Sequence, residues 1–270
     1  MGTIVPSPPT KNRNPDPEEE LNGKQMSFLE HLEELRQRLM RSIIGIVVAA
    51  SVCFLFRDQI YGMLAEPLTN TLSRLHLKAQ LAYLNPVDPF NLYIKLSLVG
   101  GLFLACPWVL YQIWLFVSPG LYKHEKRYIW PFILLTSSLF LTGGFFAWKF
   151  AFPAALEFLV NFGHQFTPVI TINEYWDLAI QVIVAVGIIF ELPVIILLLS
   201  FFGIVTPKFL WKNLRYAVLI TAVLSAAIIP SNDLASIFIV WIPLVGLYML
   251  SILLSWLVWL RKKKKKLQTA

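Results

Sequence analysis

The chain alternates long apolar stretches with short polar segments, and the lengths of these stretches predict membrane-spanning helices. A helix needs about 20 apolar residues to cross about 30 Å of hydrocarbon. One stretch is shorter, with 14 residues. It forms roughly 21 Å of helix and can cross only where the bilayer thins around it. The predicted spans cover residues 39–56, 96–117, 129–148, 178–202, 216–229 and 234–260.

The composition supports a membrane protein and excludes an ordinary soluble domain. Hydrophobic residues make up 57% of the 270 positions and charged residues only 14%, and the mean hydropathy is +0.64. These values lie well outside the balance of soluble globular chains. We therefore expect an all-α integral membrane protein with six transmembrane helices.

The positive charges are distributed unevenly between the two ends of the predicted spans. If the N-terminus lies inside, most of the 23 Lys and Arg residues fall on the inner side. The positive-inside rule then places both termini in the cytosol or its organellar equivalent. The net charge of +7 follows mostly from this topology, and the lysine run at 262–266 is free to touch anionic lipid head groups. We predict no binding to nucleic acid.

Composition divides the chain into three parts. Residues 1–25 are rich in Pro, Asn, Lys and Glu and are predicted to form a disordered cytosolic tail. Residues 26–261 form the predicted six-helix membrane domain, and residues 262–270 a basic cytosolic tail. Cys53 and Cys106 fall in apolar spans, where a free thiol behaves as a small hydrophobic group. We expect neither a disulfide framework nor a metal cluster.

A helix is predicted to begin at Ser27, which forms a capping box with Glu30. Leucines then recur at helical spacing while charged residues occupy the other faces. This pattern predicts a short cytosolic amphipathic helix that lies at the membrane surface before the chain turns into the first span. Glu34 and Arg38 are spaced for an i, i+4 ion pair on a solvated face. That structural explanation and a functional role for Glu34 are about equally favoured.

An acidic residue, Glu191, lies midway along the predicted span 178–202, two positions before Pro193. An ionisable group at this depth costs about 2.5 to 3.5 kcal/mol, and such groups usually face a water-filled cavity or a polar partner. Pro193 also frees backbone carbonyls by interrupting the helical hydrogen bonds. The alternative is a neutral Glu that hydrogen-bonds to a neighbouring helix. The functional explanation is favoured, because Gln could fill the structural role without titrating.

The sequence carries no recognisable catalytic signature. Its four histidines lack metal-ligand spacing, and no HExxH, GxSxG, Walker A or GxGxxG pattern occurs. An enzyme is therefore disfavoured, and no cofactor is predicted. A proton-coupled secondary solute transporter that uses Glu191 as its coupling acid is an alternative function. Transporters commonly contain repeated broken helices, however, and no second Glu-x-Pro span mirrors the first.

Three segments and one span carry a resemblance to a known family. They are HLEELRQRL at 31–39, FVSPGLYKHE at 116–125, FELP at 190–193, and the short span before Pro230. In this order they closely resemble the C subunit of the twin-arginine protein translocase, the TatC family, from about residue 27 to residue 261. The resemblance implies six spanning helices in a concave, cup-like arrangement with both termini inside. It also implies a receptor for the twin-arginine signal peptides of folded cargo proteins, without enzymatic activity.

The resemblance assigns the binding site to the cytosolic face. Glu34 and Glu125 match the acidic residues that receive the two arginines, Phe116 matches an aromatic residue of the same site, and Arg36 matches a basic position that orients it. A guanidinium pairs with a carboxylate through two parallel hydrogen bonds, which a lysine cannot copy.

Three further residues match the family away from that site. Glu191 corresponds to an intramembrane acid that meets a polar residue of single-span TatA/TatB-type partner subunits. Pro67 matches a proline of the first outer loop, and Asp233 an acidic residue of the last outer turn. Asp233 follows Pro230-Ser231-Asn232 instead of the family's double proline, and it would also serve as an N-cap for the last helix.

The resemblance also implies partners, an energy source and a location. The expected partners are signal peptides, the single-span subunits, the lipid bilayer and further copies of the chain in the assembled receptor complex. No nucleotide site is visible in the sequence, so transport would be driven by the transmembrane proton gradient. The expected location is the bacterial plasma membrane or the thylakoid membrane, with both termini on the cytosolic or stromal side.

Overall fold

The computed structural model describes residues 28–74, 81–117, 129–163, 165–166, 169–228 and 234–268, and these are almost entirely helical. Five helical stretches are long and apolar enough to cross a membrane, and a shorter apolar helix accompanies them. The predicted all-α membrane fold is therefore confirmed. The helices are α1 Phe28–Leu55, α2 Arg57–Arg74, α3 Asp88–Val117, α4 Ile129–Phe146, α5 Phe152–Phe162, α6 Ile172–Ile189, α7 Leu192–Phe201, α8 Pro207–Lys212, α9 Leu214–Ile228 and α10 Leu234–Gln268.

The expected turn between an amphipathic surface helix and the first span does not exist. Helix α1 runs without interruption over 28 residues and includes both segments. The sequence before Gly45 contains neither Pro nor Gly within the helix, so nothing local favours a break. In addition, α1 packs against α3 along its length. Packing therefore keeps the charged segment in line with the span.

The connection between the first two spans contains a helix that the sequence analysis did not predict. Most of it forms α2, in which Ala65 and Leu72 are buried in the core. Pro67 lies inside this helix and is itself buried. Pro67 therefore lies in a helical part of this connection, because one face of the connection packs against the core.

The later spans agree with the predicted pattern, but several extend further. Helix α3 begins at Asp88 and α6 at Ile172, in each case before the predicted start of the span. A single π-helical turn, Ala147–Ala151, joins α4 to α5, so the third span continues well past Trp148. Helix α10 continues through the basic segment as far as Gln268. Helix α9 has 15 residues and remains short, as expected. At about 1.5 Å per residue it measures roughly 22 Å.

Two apolar clusters form the interior. The larger one surrounds α6 and includes the fully buried Trp176, Val182 and Phe152. The smaller one joins Trp114 of α3 to Val194 of α7 and to α10. We call the end of the bundle that carries His31, Glu34 and Phe116 the Glu34 face, and the opposite end, which carries Asp88, the Asp88 face.

Candidate functional site

Glu34 and Arg38 form an ion pair at the Glu34 face, and this pair is partly buried against α3. Arg38 Nη2 lies 3.2 Å from Glu34 Oε1. The second guanidinium nitrogen, Nη1, donates to Oε1 of Gln112 at 3.4 Å. The side chains of Arg38 and Glu34 are 21% and 16% exposed, and Gln112 is fully buried. The predicted i, i+4 pair is present, but it lies between two helices instead of on a solvated face.

The second oxygen of the Glu34 carboxylate distinguishes this site from an ordinary ion pair. Oε2 is buried and has no hydrogen-bond partner among the described residues. A buried carboxylate oxygen without a donor is costly, and the donor that best matches its geometry is a second guanidinium. Because Arg38 already occupies Oε1, the carboxylate can bridge Arg38 and one more cationic group.

An aromatic wall adjoins this carboxylate. The rings of His31 and Phe116 stack with centroids 4.4 Å apart and an angle of 14° between their planes. His31 precedes Glu34 by three positions and therefore lies on the same side of α1. Phe116 likewise follows Gln112 by one turn of α3. Sequence reasoning assigned no role to His31 or Gln112, although the i, i+3 spacing of His31 and Glu34 was visible.

The other predicted members of the binding site are not part of this cluster. Arg36 is exposed and, at two positions from Glu34, points to a different side of the helix. Glu125 lies outside the described residues, so its position relative to Glu34 stays a prediction. Asp233 also falls outside them. Of the four residues predicted to bind the peptide, the structure brings Glu34 and Phe116 to one site.

Glu191 lies where the fourth membrane span is interrupted. Helix α6 ends at Ile189 and α7 begins at Leu192, with Pro193 in its first turn. Glu191 Oε1 is buried without a hydrogen-bond partner among the described residues. No group of three or more His, Cys, Asp and Glu in the described parts of the chain could hold a metal ion.

The Asp88 face contains a polar cluster that sequence reasoning missed. The buried carboxylate of Asp88 accepts hydrogen bonds from the backbone N–H groups of Leu84 and Asn85, at 3.1 and 2.9 Å. It also accepts from Nδ2 of Asn173, at 2.9 Å. Lys95 and Asp177 form an ion pair nearby. These contacts connect α3 to the start of α6.

The membrane-length helices define a polytopic helical membrane protein. It carries a carboxylate and aromatic cluster at one end and a buried carboxyl group within a span. The family model "Sec-independent protein translocase protein (TatC)" matches residues 30–243. The chain belongs to the TatC family of Sec-independent protein translocases.

Individual relatives support the same assignment. The TatC protein of Koribacter versatilis is 44% identical over 243 residues, covering 90% of both chains. That of Aquifex aeolicus is 36% identical over 248 residues, covering 91% of this chain and 100% of the relative. A crystal structure described as the twin-arginine translocase receptor TatC superimposes with a TM-score of 0.70 at 35% identity, covering 85% of this chain and 99% of that one.

The family assignment decides between the functions that the sequence left open. TatC proteins are components of a protein translocase and are not enzymes. The chain is therefore a non-enzymatic, multi-pass membrane subunit of the twin-arginine translocation system. The alternative of a proton-coupled solute transporter is set aside.

Proposed function

We propose that this subunit is the receptor for twin-arginine signal peptides and that the Glu34 face binds them. The proposal rests on one observation above all: a buried carboxylate oxygen of Glu34 has no donor among the described residues, while its other oxygen is held by Arg38. A signal-peptide guanidinium supplies the missing donor in a charge-assisted hydrogen bond. A lysine offers a point charge without the planar fork and would bind less well.

The aromatic pair beside Glu34 supports the same proposal. Phe116 stacks on His31, and an aromatic surface next to a carboxylate accommodates the flat guanidinium of a bound arginine. We propose that Glu125 receives the second arginine. We also propose that Arg36, which is exposed on another side of α1, orients the peptide through longer-range electrostatics.

Binding of a twin-arginine signal peptide to the detergent-solubilised protein tests the Glu34 site. The native peptide is compared with its double-Lys form on the wild type and on Glu34→Gln. A charge-assisted hydrogen bond contributes about 1.5–3 kcal/mol, so we expect Glu34→Gln to weaken native binding about 10- to 100-fold. The matched control is Glu33→Gln, because Glu33 is exposed on the same helix. This variant should bind like the wild type.

Two results would contradict the receptor assignment for this site. One is native peptide binding that is unchanged in Glu34→Gln. The other is equal affinity of the wild type for the Arg and Lys peptides. Equal losses in Glu34→Gln and Glu33→Gln would instead point to a general effect of negative charge at this face.

We propose that Glu191 is the contact for a single-span partner subunit. Its Oε1 is buried without a partner among the described residues, and hydrogen bonds between helices in membranes contribute about 1–2 kcal/mol. Co-purification of the small subunits with Glu191→Ala should fall about 5- to 30-fold, whereas Glu191→Gln should retain more of it. Glu157→Ala alters an exposed glutamate of α5 and is the control. Undiminished co-purification with Glu191→Ala would rule out this contact.

We propose that the Glu34 face is cytosolic, with both termini inside and the proton gradient as energy source. The excess of Lys and Arg on that side supports this orientation. Pro67 and Asp233 then belong to the outer side, where we assign them structural or partner contacts. Further copies of the chain join it in the assembled receptor.

Cysteine labelling tests the orientation. A membrane-impermeant maleimide should label Tyr83→Cys in intact cells, and Gln37→Cys only after the membrane is opened. The opposite pattern would reverse the orientation.

A further inference from the structure

A groove of about 720 Å³ lies between α8 and α10, and none of Glu34, Arg36 and Phe116 lines it. It is at the Glu34 end of the bundle, since Val258, just beyond it on α10, packs in one cluster with Trp114. Tyr248 of α10 donates a hydrogen bond to the backbone oxygen of Leu210, at 2.9 Å, and connects the two helices on the inner side.

The floor of the groove is apolar and exposed. Met249 and Leu253 of α10 line it and are 37% and 53% exposed. From Met249 to Trp256 the groove follows α10 for about 10 Å, at 1.5 Å per residue. Met249 and Leu253 lie within the membrane-length stretch Ile237–Leu260, and an exposed apolar strip there is complementary to the upper part of an acyl chain.

The rim of the groove has a different chemistry. Lys208 and Lys212 lie one turn apart on α8 and both line the groove. Trp211 and Trp256 flank them and are exposed, and tryptophans of this kind mark the level of the lipid head groups. Two lysines and an apolar strip therefore line the same groove, and the tryptophans beside the lysines indicate head-group depth.

The positive charge at this rim has no counter-charge in the part of the chain that the structure describes. Neither Lys208 nor Lys212 forms an ion pair within the described residues. Residues 192–232 and 234–270 contain no Asp or Glu at all. Helix α10 also continues from the groove into the basic run 261–266. A ligand that complements this site has to bring its own negative charge.

We propose that the groove is a binding site for an anionic phospholipid. The head-group phosphate pairs with Lys208 and Lys212, the glycerol backbone lies between Trp211 and Trp256, and one acyl chain follows Met249 and Leu253. An apolar partner helix would fill the floor but would leave both ammonium groups without a counter-charge. This inference is argued separately from signal-peptide binding, because Glu34, Arg36 and Phe116, the peptide-site residues that the structure describes, do not line the groove.

Native mass spectrometry tests the proposal. The detergent-solubilised full-length protein is titrated with phosphatidylglycerol or with phosphatidylcholine that has identical acyl chains. We expect phosphatidylglycerol to bind about tenfold more tightly, since each surface lysine favours an anionic lipid several-fold. The double variant Lys208→Gln/Lys212→Gln should lose this preference. Its matched control, Lys149→Gln/Arg215→Gln, removes two charges outside the groove and should keep it.

A second variant keeps the charges and alters the floor. Leu253→Trp fills the groove, and it should reduce phosphatidylglycerol binding about tenfold while Lys208 and Lys212 stay in place. Inorganic phosphate at millimolar concentration should not displace the lipid, because it lacks the acyl chain.

Several outcomes would overturn the proposal. One is equal binding of phosphatidylglycerol and phosphatidylcholine, and another is a preference for phosphatidylglycerol that survives Lys208→Gln/Lys212→Gln. A third is loss of this preference in the control variant as well, which would indicate non-specific attraction to the basic face. Displacement of the lipid by inorganic phosphate alone would show that the groove binds anions without recognising the acyl chain. If no lipid binds and Leu253→Trp instead dissolves a dimer, the groove is a contact between two copies of the chain.

Discussion

Helices α1 and α3 can approach closely because residue 101 has no side chain. A Cβ atom added to Gly101 would lie 2.5 Å from the backbone nitrogen of Ala50. Small residues permit this kind of backbone contact between membrane helices, where van der Waals packing drives association. The same helix pair carries Glu34, Arg38 and Gln112. The geometry of the Glu34 cluster therefore depends on a glycine several turns away from it.

Gly101→Ala and Gly62→Ala should change stability in opposite directions. Overpacking at Gly101 should lower the free energy of unfolding by about 1–3 kcal/mol. Gly62 lies in α2 with nothing within 4 Å of an added Cβ, so alanine there should raise it by up to about 1 kcal/mol through helix propensity. Unfolding in mixed detergent micelles measures both. A Gly101→Ala variant as stable as the wild type would show that α1 and α3 are loosely packed.

At the scale of the element, α1 is one continuous helix that contains both a charged segment and a membrane span. Its first half carries the charged residues of the Glu34 face, and its second half crosses the membrane. The sequence pattern alone predicted two pieces with a turn between them. A continuous helix fixes Glu34 relative to the span, so that packing of the span on α3 also positions the carboxylate.

Substitution of Gln37 by proline tests whether α1 has to be continuous. Gln37 is exposed, so the substitution acts through the backbone, where proline in a helix interior costs about 3 kcal/mol or more. We expect Gln37→Pro to lower thermal stability and abolish discrimination between Arg and Lys signal peptides. Gln37→Ala should leave both unchanged. If Gln37→Pro behaved like Gln37→Ala in both measurements, the chain would have a natural turn near this position.

At the scale of the whole molecule, the Asp88 face joins the first part of the bundle to α6. The segment that precedes α3 pairs with Thr171 through a short backbone bridge at Ala82. Asp88 adds a hydrogen bond to Asn173, and Lys95 an ion pair with Asp177. Distant parts of the sequence thus meet at one end of the bundle, opposite the Glu34 face.

Within this network, Asp88 should contribute more to the free energy of unfolding than Lys95. Asp88→Ala leaves three donors without their acceptor and should cost about 1–3 kcal/mol of unfolding free energy. Lys95 and Asp177 are 40% and 57% exposed, so Lys95→Gln should cost less than about 1 kcal/mol. Thermal melts of the two variants under one set of conditions compare them. A larger loss in Lys95→Gln would mean that the surface pair, and not the buried carboxylate, joins the two parts.

The candidate sites were predictable from the sequence only in part. Glu34 and Arg38 have the spacing of a helical pair, and Glu191 stands out because an acid in an apolar span is rare. The stacking of His31 on Phe116 joins residues that are far apart in the chain, and nothing local indicates it. The role of Asp88 was missed for the same reason, since its partner Asn173 belongs to another helix.

The sequence by itself determined the class of protein, the approximate positions of the apolar helices, and the short length of α9. These properties follow from hydrophobicity and length, which each segment carries alone because the bilayer acts on every helix separately. Only the tertiary structure decided that α1 is continuous, that Pro67 is buried in a helix, and which face of each span meets protein. Protein-facing and lipid-facing surfaces are equally apolar, so the composition of a span does not show which of its faces meets protein. Packing between helices selects among them through shape and through a few buried polar contacts.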